Sequence, residues 1–576
     1  MPVHNEDIAA AFDEIAELLE LQQANPFRVR AYRTAARNIR SLGEELTDLV
    51  ASGVDLTELP GIGEDLAKKI REFVTRGRLA YLDSLRRQLP PGVVDLLQVP
   101  GLGPKRVRAL YEQLGVHSLA GLAKAARDGR LQSLPGFGPK LTAQILHRIE
   151  TRRTEKKKRF LRAVARQYAE PLRERLAAIE GVEAAVIAGS YRRGRETVGD
   201  IDLLVTSGRP APVMQALVEY DEVAEVLSRG STRASVVLRS GLQVDLRVVA
   251  AESFGAALHY FTGSKAHNIA IRKLGRAQGL KINEYGVFRG QRRIAGRTEA
   301  EVYAAVGLPL IPPPLREMRG EIEAARAGRL PRLVECADLQ GDLHAHTRET
   351  DGQLDLEALA RAARARGLKY LAITDHSQRL KMVHGLDAGR LARQMAAIDA
   401  LNDRLRGIRL LKGIEVDILE DGSLDLPDRV LCQLDLVVAS VHSRFGLSRR
   451  RQTERLLRAL DQRCLSILGH PTCRLIFQRD PIDIDFDRVL EAARQRGCAL
   501  ELNAQPQRLD LDDVHARAAA EAGIPIAISS DAHSEADLDG LEHGVLQAQR
   551  AWLQPQQVLN TRPLRELRRF LKSTLA

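Results

Sequence analysis

Between residues 339 and 576 a short apolar run recurs seven times, and nearly every run ends in side chains that bind metals. The runs are GDLHAHT, YLAITDH, LLKGIEVDI, LDLVVASVH, LSILGH, CALELNA and IPIAISSDAH, with helical stretches between them. Parallel strands need crossover connections, and helices supply them, so this alternation predicts a seven-stranded parallel (βα) barrel. In such barrels the active site is built at the C-terminal ends of the strands and the loops after them. His344, His346, Asp351, His376, Glu415, His442, His470, Asp531 and His533 fall toward that end, and Asn503 takes the corresponding place in CALELNA. A lone histidine on an apolar strand is ordinarily structural, but six of the 14 histidines gather here. His-x-His at 344 and 346 sets two imidazoles on one side of a strand. Mixed imidazole and carboxylate ligands suit two or three Mn²⁺ or Zn²⁺ ions. His384 has no partner at ligand spacing and is not read as a ligand.

A second site is written upstream in GSYRRGRETVGDID, residues 189–202. Asp200 and Asp202 are two apart on a predicted strand and project from one face. Asp245, in LQVDLRVV, faces away from its apolar neighbours Val244 and Leu246. Three clustered carboxylates suit two hard cations, Mg²⁺ or Mn²⁺, that clamp a triphosphate and an attacking hydroxyl. Gly189, Ser190 and Arg193 fit phosphate binding at a turn.

The first 150 residues read as helical and contain LPGIGEDLAKKI (59–70), VPGLGPKRVRAL (99–110) and LPGFGPKLTAQIL (134–146). In each, glycines open a turn before a helix whose N-terminus favours phosphate. Gly61, Gly63, Gly101, Gly103, Lys105, Gly136, Gly138 and Lys140 are the candidate DNA contacts. Lys68 and Lys69 come after the first turn; two solvated lysines are the ordinary case. A Schiff-base nucleophile at one of them needs a cationic pocket, which Arg28, Arg30 and Arg33 are placed to supply.

The net charge is +11, and residues 1–330 carry roughly +12 of it against about −1 for the rest. A basic first half beside a neutral half suits a polyanion in the first and chemistry in the second, although charge alone does not make that polyanion a nucleic acid; the partner that the likeness given below implies is gapped or nicked double-stranded DNA. The cysteines, 336, 432, 464, 473 and 498, are odd in number and form no C-x-x-C pair, so a reduced setting is expected rather than a disulfide framework. Neither a signal core nor an 18-residue apolar run is present, so no membrane span and a cytoplasmic, nucleoid-associated location are expected. No coiled-coil seam stands out, and a monomer is the default.

The three Pro-Gly-x-Gly segments resemble the helix-hairpin-helix motif of DNA repair proteins, and residues 25–80 resemble the lyase domain of polymerase beta, with Lys69 at the nucleophile position. Gly-Ser-x-Arg-Arg-Gly…Gly-Asp-x-Asp resembles the nucleotidyltransferase palm of DNA polymerase family X. The likeness runs on through YFTGSKAHNIAIRKLGRAQGLKINEYGVF at 260–288. It implies that Asp200, Asp202 and Asp245 are catalytic. It further implies that Tyr260, Phe261 and Gly263 face the incoming dNTP and that Asn268 and Arg272 contact the minor grooves. Gln243 and Lys265 depart from the vertebrate pattern, which has Arg and Asp there. The order His-x-His, Asp-Gly, Thr-Asp-His, Glu, His, His-Pro, Asp-x-His resembles the polymerase-and-histidinol-phosphatase (PHP) family. That likeness implies one ion on His344, His346, Glu415 and Asp531, a second on Glu415, His442 and His470, and a third on Asp351, His376 and His533. Arg474 and Arg508 are candidate phosphate contacts.

The expected organisation is multidomain. A lyase-like helical domain spans 1–80 with the first helix-hairpin-helix, and a fingers-like domain with the other two spans 81–150. An α+β palm (151–255), a thumb (256–317), a linker (318–338) and the PHP barrel (339–576) complete the chain. The whole resembles a bacterial family X DNA polymerase with a C-terminal PHP domain, filling short gaps in repair. The barrel would act as a 3′–5′ exonuclease, a 3′-phosphatase or an abasic-site endonuclease. A small-molecule phosphoesterase tethered to DNA would not need the intact palm. A non-catalytic scaffold would not keep all twelve metal-site residues.

Overall fold

The computed structural model describes residues 3, 5–40, 42, 46–59, 61–89, 92–97, 99, 102–134, 136–138, 142, 145 and 159–575. These form two compact units, one from residues 1–158 with 476–480 and one from 159–475 with 481–576.

The first unit is helical. Helix Asn5–Leu21 places Ile8, Phe12 and Ile15 on one face at helical spacing, and all three are fully buried. They join Tyr32, Ala35 and Ile39 of helix Pro26–Arg40 and Leu66 and Ile70 of helix Glu64–Arg76 in a single apolar cluster that extends to Ile145.

The second unit begins with a five-stranded sheet. Its strands are β1 (Val182–Ile187), β2 (Asp200–Ser207), β3 (Val223–Arg229), β4 (Arg233–Leu238) and β5 (Gln243–Val249), in the order β1-β2-β5-β4-β3. β2 and β5 are parallel, and the register sets Asp202 opposite Asp245. One face is covered by helices Arg162–Ala177 and Pro210–Val218, whose Leu172 and Leu217 share a core with Ile201, Val244 and Leu246. The alternation of β2 turns Leu204 to the same face as Asp200 and Asp202. Leu204 packs there on Ala257 and Leu258 of helix Phe254–Thr262. A buried polar network joins the segments around that helix: Arg192 forks onto Glu299 at 2.9 and 2.7 Å, Arg316 also pairs with Glu299, and His267 bridges Glu321 and Tyr303.

The last part supplies the seven expected runs. They form two parallel sheets, not one continuous ladder. The first sheet holds β6 (Gly341–Asp342), β7 (Tyr370–Ile373) and β8 (Arg409–Lys412). The second holds β9 (Glu415–Asp417), β10 (Val438–Ser440), β11 (Ile467–Leu468), β12 (Ala499–Asn503) and β13 (Ile526–Ser529). The third run, LLKGIEVDI, is thus split between β8 and β9. The register of β7 on β8 resumes beyond the gap as a bridge between His376 and Glu415. The interruption falls where Asp375 turns inward to accept hydrogen bonds from Thr347, Thr350 and Gln394. A second parallel bridge, Ala345 to Ala532, links the ends of β6 and β13.

The expectation of unpaired cysteines is corrected. Cys432 and Cys464 are joined in a disulfide with Cα atoms 5.6 Å apart, and folding, not sequence spacing, brings them together. Cys473 and Cys498 are buried and lie outside that disulfide. Among the described residues no helix is long and apolar enough to cross a membrane.

Candidate active sites

At the first site, Asp200 and Asp202 leave β2 on one face, and the parallel register delivers Asp245 beside Asp202. Asp245 accepts hydrogen bonds from Ser235 and, at 2.9 Å, from Gln243, one of the two residues that depart from the vertebrate pattern. Burial, then the charges of Asp200 and Asp245, push the Asp202 carboxyl up to about 7. A site that makes its own carboxylate so hard to ionise is short of positive charge, and divalent cations answer that need.

The turn 189–195 lies directly against these carboxylates. Gly189 has φ +63, and a Cβ there would meet Asp202 Oδ2 at 2.2 Å, so only glycine fits. Arg193 donates to the Thr262 carbonyl at 2.8 Å and to Glu317 at 3.0 Å, which brings the turn to the segment 260–263. Tyr260 and Phe261 meet edge to face at 5.1 Å, and Arg247 lies over the Phe261 ring at 4.4 Å. The Asn268 amide nitrogen donates to the carbonyls of Tyr260 and Gly263, so it braces this segment from helix Lys265–Ala277. Arg272 and Lys265 lie on the same helix, and both are exposed.

At the second site the strand ends converge on Glu415, which is almost wholly buried. Its Oε1 lies 3.0 Å from His470 Nε2 and 3.2 Å from His442 Nε2, and its Oε2 lies 2.7 Å from His376 Nδ1 and 3.6 Å from His344 Nε2. Asp531 Oδ1 lies 3.1 Å from His346 Nε2, and Asp351 Oδ1 lies 3.3 Å from His533 Nε2. Among the described residues, ligand atoms close enough to share an ion form three groups: His346, Asp351, His376 and His533; His344, His346 and Asp531; and His376, Glu415 and His442. These groups overlap the sets of four, three and three that the family likeness implies without coinciding with them: His346 and His376 each belong to two groups, and His470, 3.0 Å from Glu415, belongs to none. His384 is exposed at the end of the turn Lys381–Val383 and belongs to none of them.

The donor set fits metal ions. His344 Nε2, both ring nitrogens of His346 and Glu415 Oε2 are buried without a hydrogen bond, an arrangement folded proteins avoid unless another partner completes it. Burial, His533 and His376 push the His346 imidazole down to about 4, leaving it neutral and able to donate its lone pair. Burial opposes protonation at His376, but Glu415 and Asp351 outweigh it and raise that imidazole to about 10. The backbone is strained here as well: His470 (φ 25) and Asp531 (φ 52) hold left-handed conformations that L side chains resist.

An outer layer, of which the sequence singled out only Asn503, orients these ligands. Glu501 is fully buried; it holds His344 Nδ1 at 2.7 Å and accepts from the His470 backbone at 2.7 Å, so His344 Nε2 points to the cluster. Asp417 lies 3.3 Å from His442 Nδ1, and Asn503 donates to Asp531 at 2.9 Å. A glutamate inside the apolar run CALELNA was the available signal. Arg508 stays near the cluster, 3.9 Å from Asp531. Arg474 does not: its guanidinium is spent on Glu196 and the Leu509 carbonyl.

In the first unit the glycines divide by role. Gly61 and Gly136 have positive φ and make the turns. Gly63 and Gly103 cap the helices after them, and a Cβ on Gly63, Gly103 or Gly138 would meet nothing. Such bare helix entrances at Gly63 and Gly103 leave backbone N–H groups open to a phosphate. Lys105 is exposed beside Gly103. Gly101 and Lys140 lie outside the described residues. Lys69 pairs with Asp65 and lies 5.2 Å from the Tyr81 ring centroid, which Arg28 also approaches at 5.1 Å.

A carboxylate triad beside a glycine turn, and an imidazole-rich cluster in a strand-and-helix domain of the same chain, define a nucleotidyltransferase joined to a phosphoesterase. Family models match in that order: a helix-hairpin-helix domain at 3–79, a SAM-like helix-hairpin-helix tandem at 93–151, a DNA polymerase beta palm at 159–244, a DNA polymerase beta thumb at 257–317 and a PHP domain at 342–505. The DNA polymerase/3′-5′ exonuclease PolX of Bacillus subtilis (strain 168) is 39% identical over 575 residues, 99% of this chain and 100% of that protein. DNA polymerase lambda of Rattus norvegicus is 26% identical over 326 residues, 51% of this chain and 53% of the relative. A protein named as a probable phosphatase of Thermoanaerobacter sp. (strain X514) is 31% identical over 244 residues, 40% of this chain and 94% of its own length. The chain belongs to the family X DNA polymerases that carry a PHP domain.

Proposed function

We propose that this protein fills short gaps in DNA during repair, adding dNTPs at the palm, and that its PHP domain hydrolyses phosphoesters at 3′ ends as a 3′–5′ exonuclease. The observation that carries the reading is the register of Asp202 against Asp245 beside the glycine turn, in a chain that matches PolX from end to end. Asp200, Asp202 and Asp245 would hold Mg²⁺ or Mn²⁺. Gly189, Ser190 and Arg193 would bind the triphosphate. Tyr260, Phe261 and Gly263 would orient the incoming nucleotide, with Asn268 holding that segment and Arg272 reaching the minor groove. In the PHP domain, His344, His346, Asp351, His376, Glu415, His442, His470, Asp531 and His533 would hold two or three Mn²⁺ or Zn²⁺ ions, with the seven runs read as one closed barrel. Bound cations at either site supply Lewis acidity and offset the charge that develops on phosphorus. Glu501, Asp417 and Asn503 fix the ligands beforehand, so little reorganisation is needed when substrate arrives.

The divisions at 80, 150, 255, 317 and 338 are proposed as domain borders. Gapped or nicked duplex would be gripped through Gly63, Gly103 and Gly138. Lys69 is proposed as a 5′-deoxyribose-phosphate lyase nucleophile, supported by its aromatic and cationic surroundings at Tyr81 and Arg28.

The test is a one-nucleotide-gapped duplex, labelled at the primer 5′ end, with Mn²⁺. Extension with dNTPs and shortening without them are expected. Shortening alone would reduce the palm to a DNA-holding relic, and extension alone would give the PHP domain a different phosphoester substrate.

A further inference from the structure

The turn 189–195 is not held by the palm alone. Helix Leu541–Arg550 of the PHP domain packs on it: a Cβ on Gly194 (φ +71) would come within 2.5 Å of Leu546 Cγ. Arg550, at 2% exposure, ends that helix beneath the turn. It donates from Nη1 to the Arg193 carbonyl at 3.0 Å and to Glu317 at 2.9 Å, and from Nη2 to Asp513 at 2.6 Å. Glu317 accepts from the Arg193 side chain through the same oxygen, so Arg550 holds Arg193 by both its backbone and its guanidinium. Arg319 also pairs with Asp513 at 2.9 Å, and Arg195 stands 3.9 Å from Glu317. Four guanidinium groups thus share two carboxylates, and the surplus positive charge lies along the turn. Burial alone would raise the Glu317 carboxyl, but Arg193 and Arg550 bring it below the usual range.

The contact continues beyond Arg550. Glu196, just after the turn, is taken by Arg474 at 2.7 Å, and Arg474 lies four residues beyond His470. The opposite face of the helix lies on the metal-site strands, where a Cβ on Gly544 would be 2.7 Å from both Ala504 and Ile528. One helix therefore packs against the ligand-bearing strand ends and against the turn beside the palm carboxylates.

We propose that Arg550 is a positioning residue for nucleotide addition: through the Arg193 carbonyl and Glu317 it sets Arg193 where it meets the triphosphate. The PHP domain is then a structural part of the polymerase site. This rests on the reading of Arg193 as a triphosphate contact, and the experiment separates the two.

Steady-state extension on the gapped duplex is measured for wild type, Arg193→Ala, Arg550→Ala, Arg550→Lys and the Arg193→Ala/Arg550→Ala double variant. Melting curves and 3′ hydrolysis are recorded alongside. Arg550→Ala is expected to raise KM for dNTP about tenfold with kcat changed by no more than about threefold. Arg550→Lys, which keeps charge but loses the fork, should recover only part of this. The double variant should be no worse than Arg193→Ala, because both act through one contact. Should Arg550→Ala melt early, Glu317→Gln reads the same link from outside the PHP domain and should raise KM likewise. A wild-type KM in Arg550→Ala beside a raised KM in Arg193→Ala overturns the proposal alone. Additive losses in the double variant also overturn it. A wild-type KM in Arg193→Ala overturns the reading of the turn as well.

Discussion

The two sites of this chain solve the same problem, cleaving or forming a bond to phosphorus, with opposite preparation. The palm offers three carboxylates, supported by Ser235 and Gln243, and the charges of Arg247 and Arg193 offset their mutual repulsion only in part. The PHP cluster alternates imidazoles with carboxylates and surrounds them with Glu501, Asp417 and Asn503. Its charge is largely balanced within the protein, whereas the palm's is not. A site that trades cations with each incoming nucleotide gains from such a deficit. A site that keeps its ions gains from a rigid, buried cage.

The sharpest break in this comparison is Asp200→Ala with Asp202→Ala. Extension of gapped duplex should be abolished and 3′ hydrolysis kept; normal extension would sink the palm assignment. Next in size is Glu501→Gln, which leaves all nine ligands but weakens the hold on His344. It should cost about 10–100-fold in hydrolysis or metal affinity, recovered in part by excess Mn²⁺, with extension untouched. Wild-type metal titration of that variant would contradict an outer-layer role.

The smallest effect is thermal. In metal-free protein the Asp202 carboxyl is raised from 3.8 to about 7. The folded state therefore keeps a proton that the unfolded chain releases, and stability declines as pH rises from about 4 to 7. Asp202→Asn should melt with wild type below pH 4 and about 2–4 °C higher at pH 8 in chelator. Added Mg²⁺ should stabilise wild type and erase the difference. An equal melting temperature at pH 8 would mean that the carboxylates are not crowded.

Both sites were legible in the sequence because their ligands come in short strings, Asp-x-Asp and His-x-His, whose geometry a strand determines locally. The seven runs were legible for the same reason, while the break between β8 and β9 was not, since it depends on Asp375 reaching Thr347 and Gln394. Glu501 and Asp417 look like ordinary strand acids until the ends of other strands are brought to them. Arg474 shows the converse: a basic residue four positions after a ligand histidine invites a phosphate, but its charge is met by Glu196, a partner 278 residues away in sequence. The Cys432–Cys464 pair is likewise a product of tertiary proximity.

The most direct test of two separate chemistries is His344→Ala with His346→Ala on the one-nucleotide-gapped duplex, metal-depleted and reconstituted with Mn²⁺, with and without dNTPs. Full extension with dNTPs and no shortening without them is the predicted result. Retained shortening would contradict the account by placing hydrolysis outside the PHP cluster.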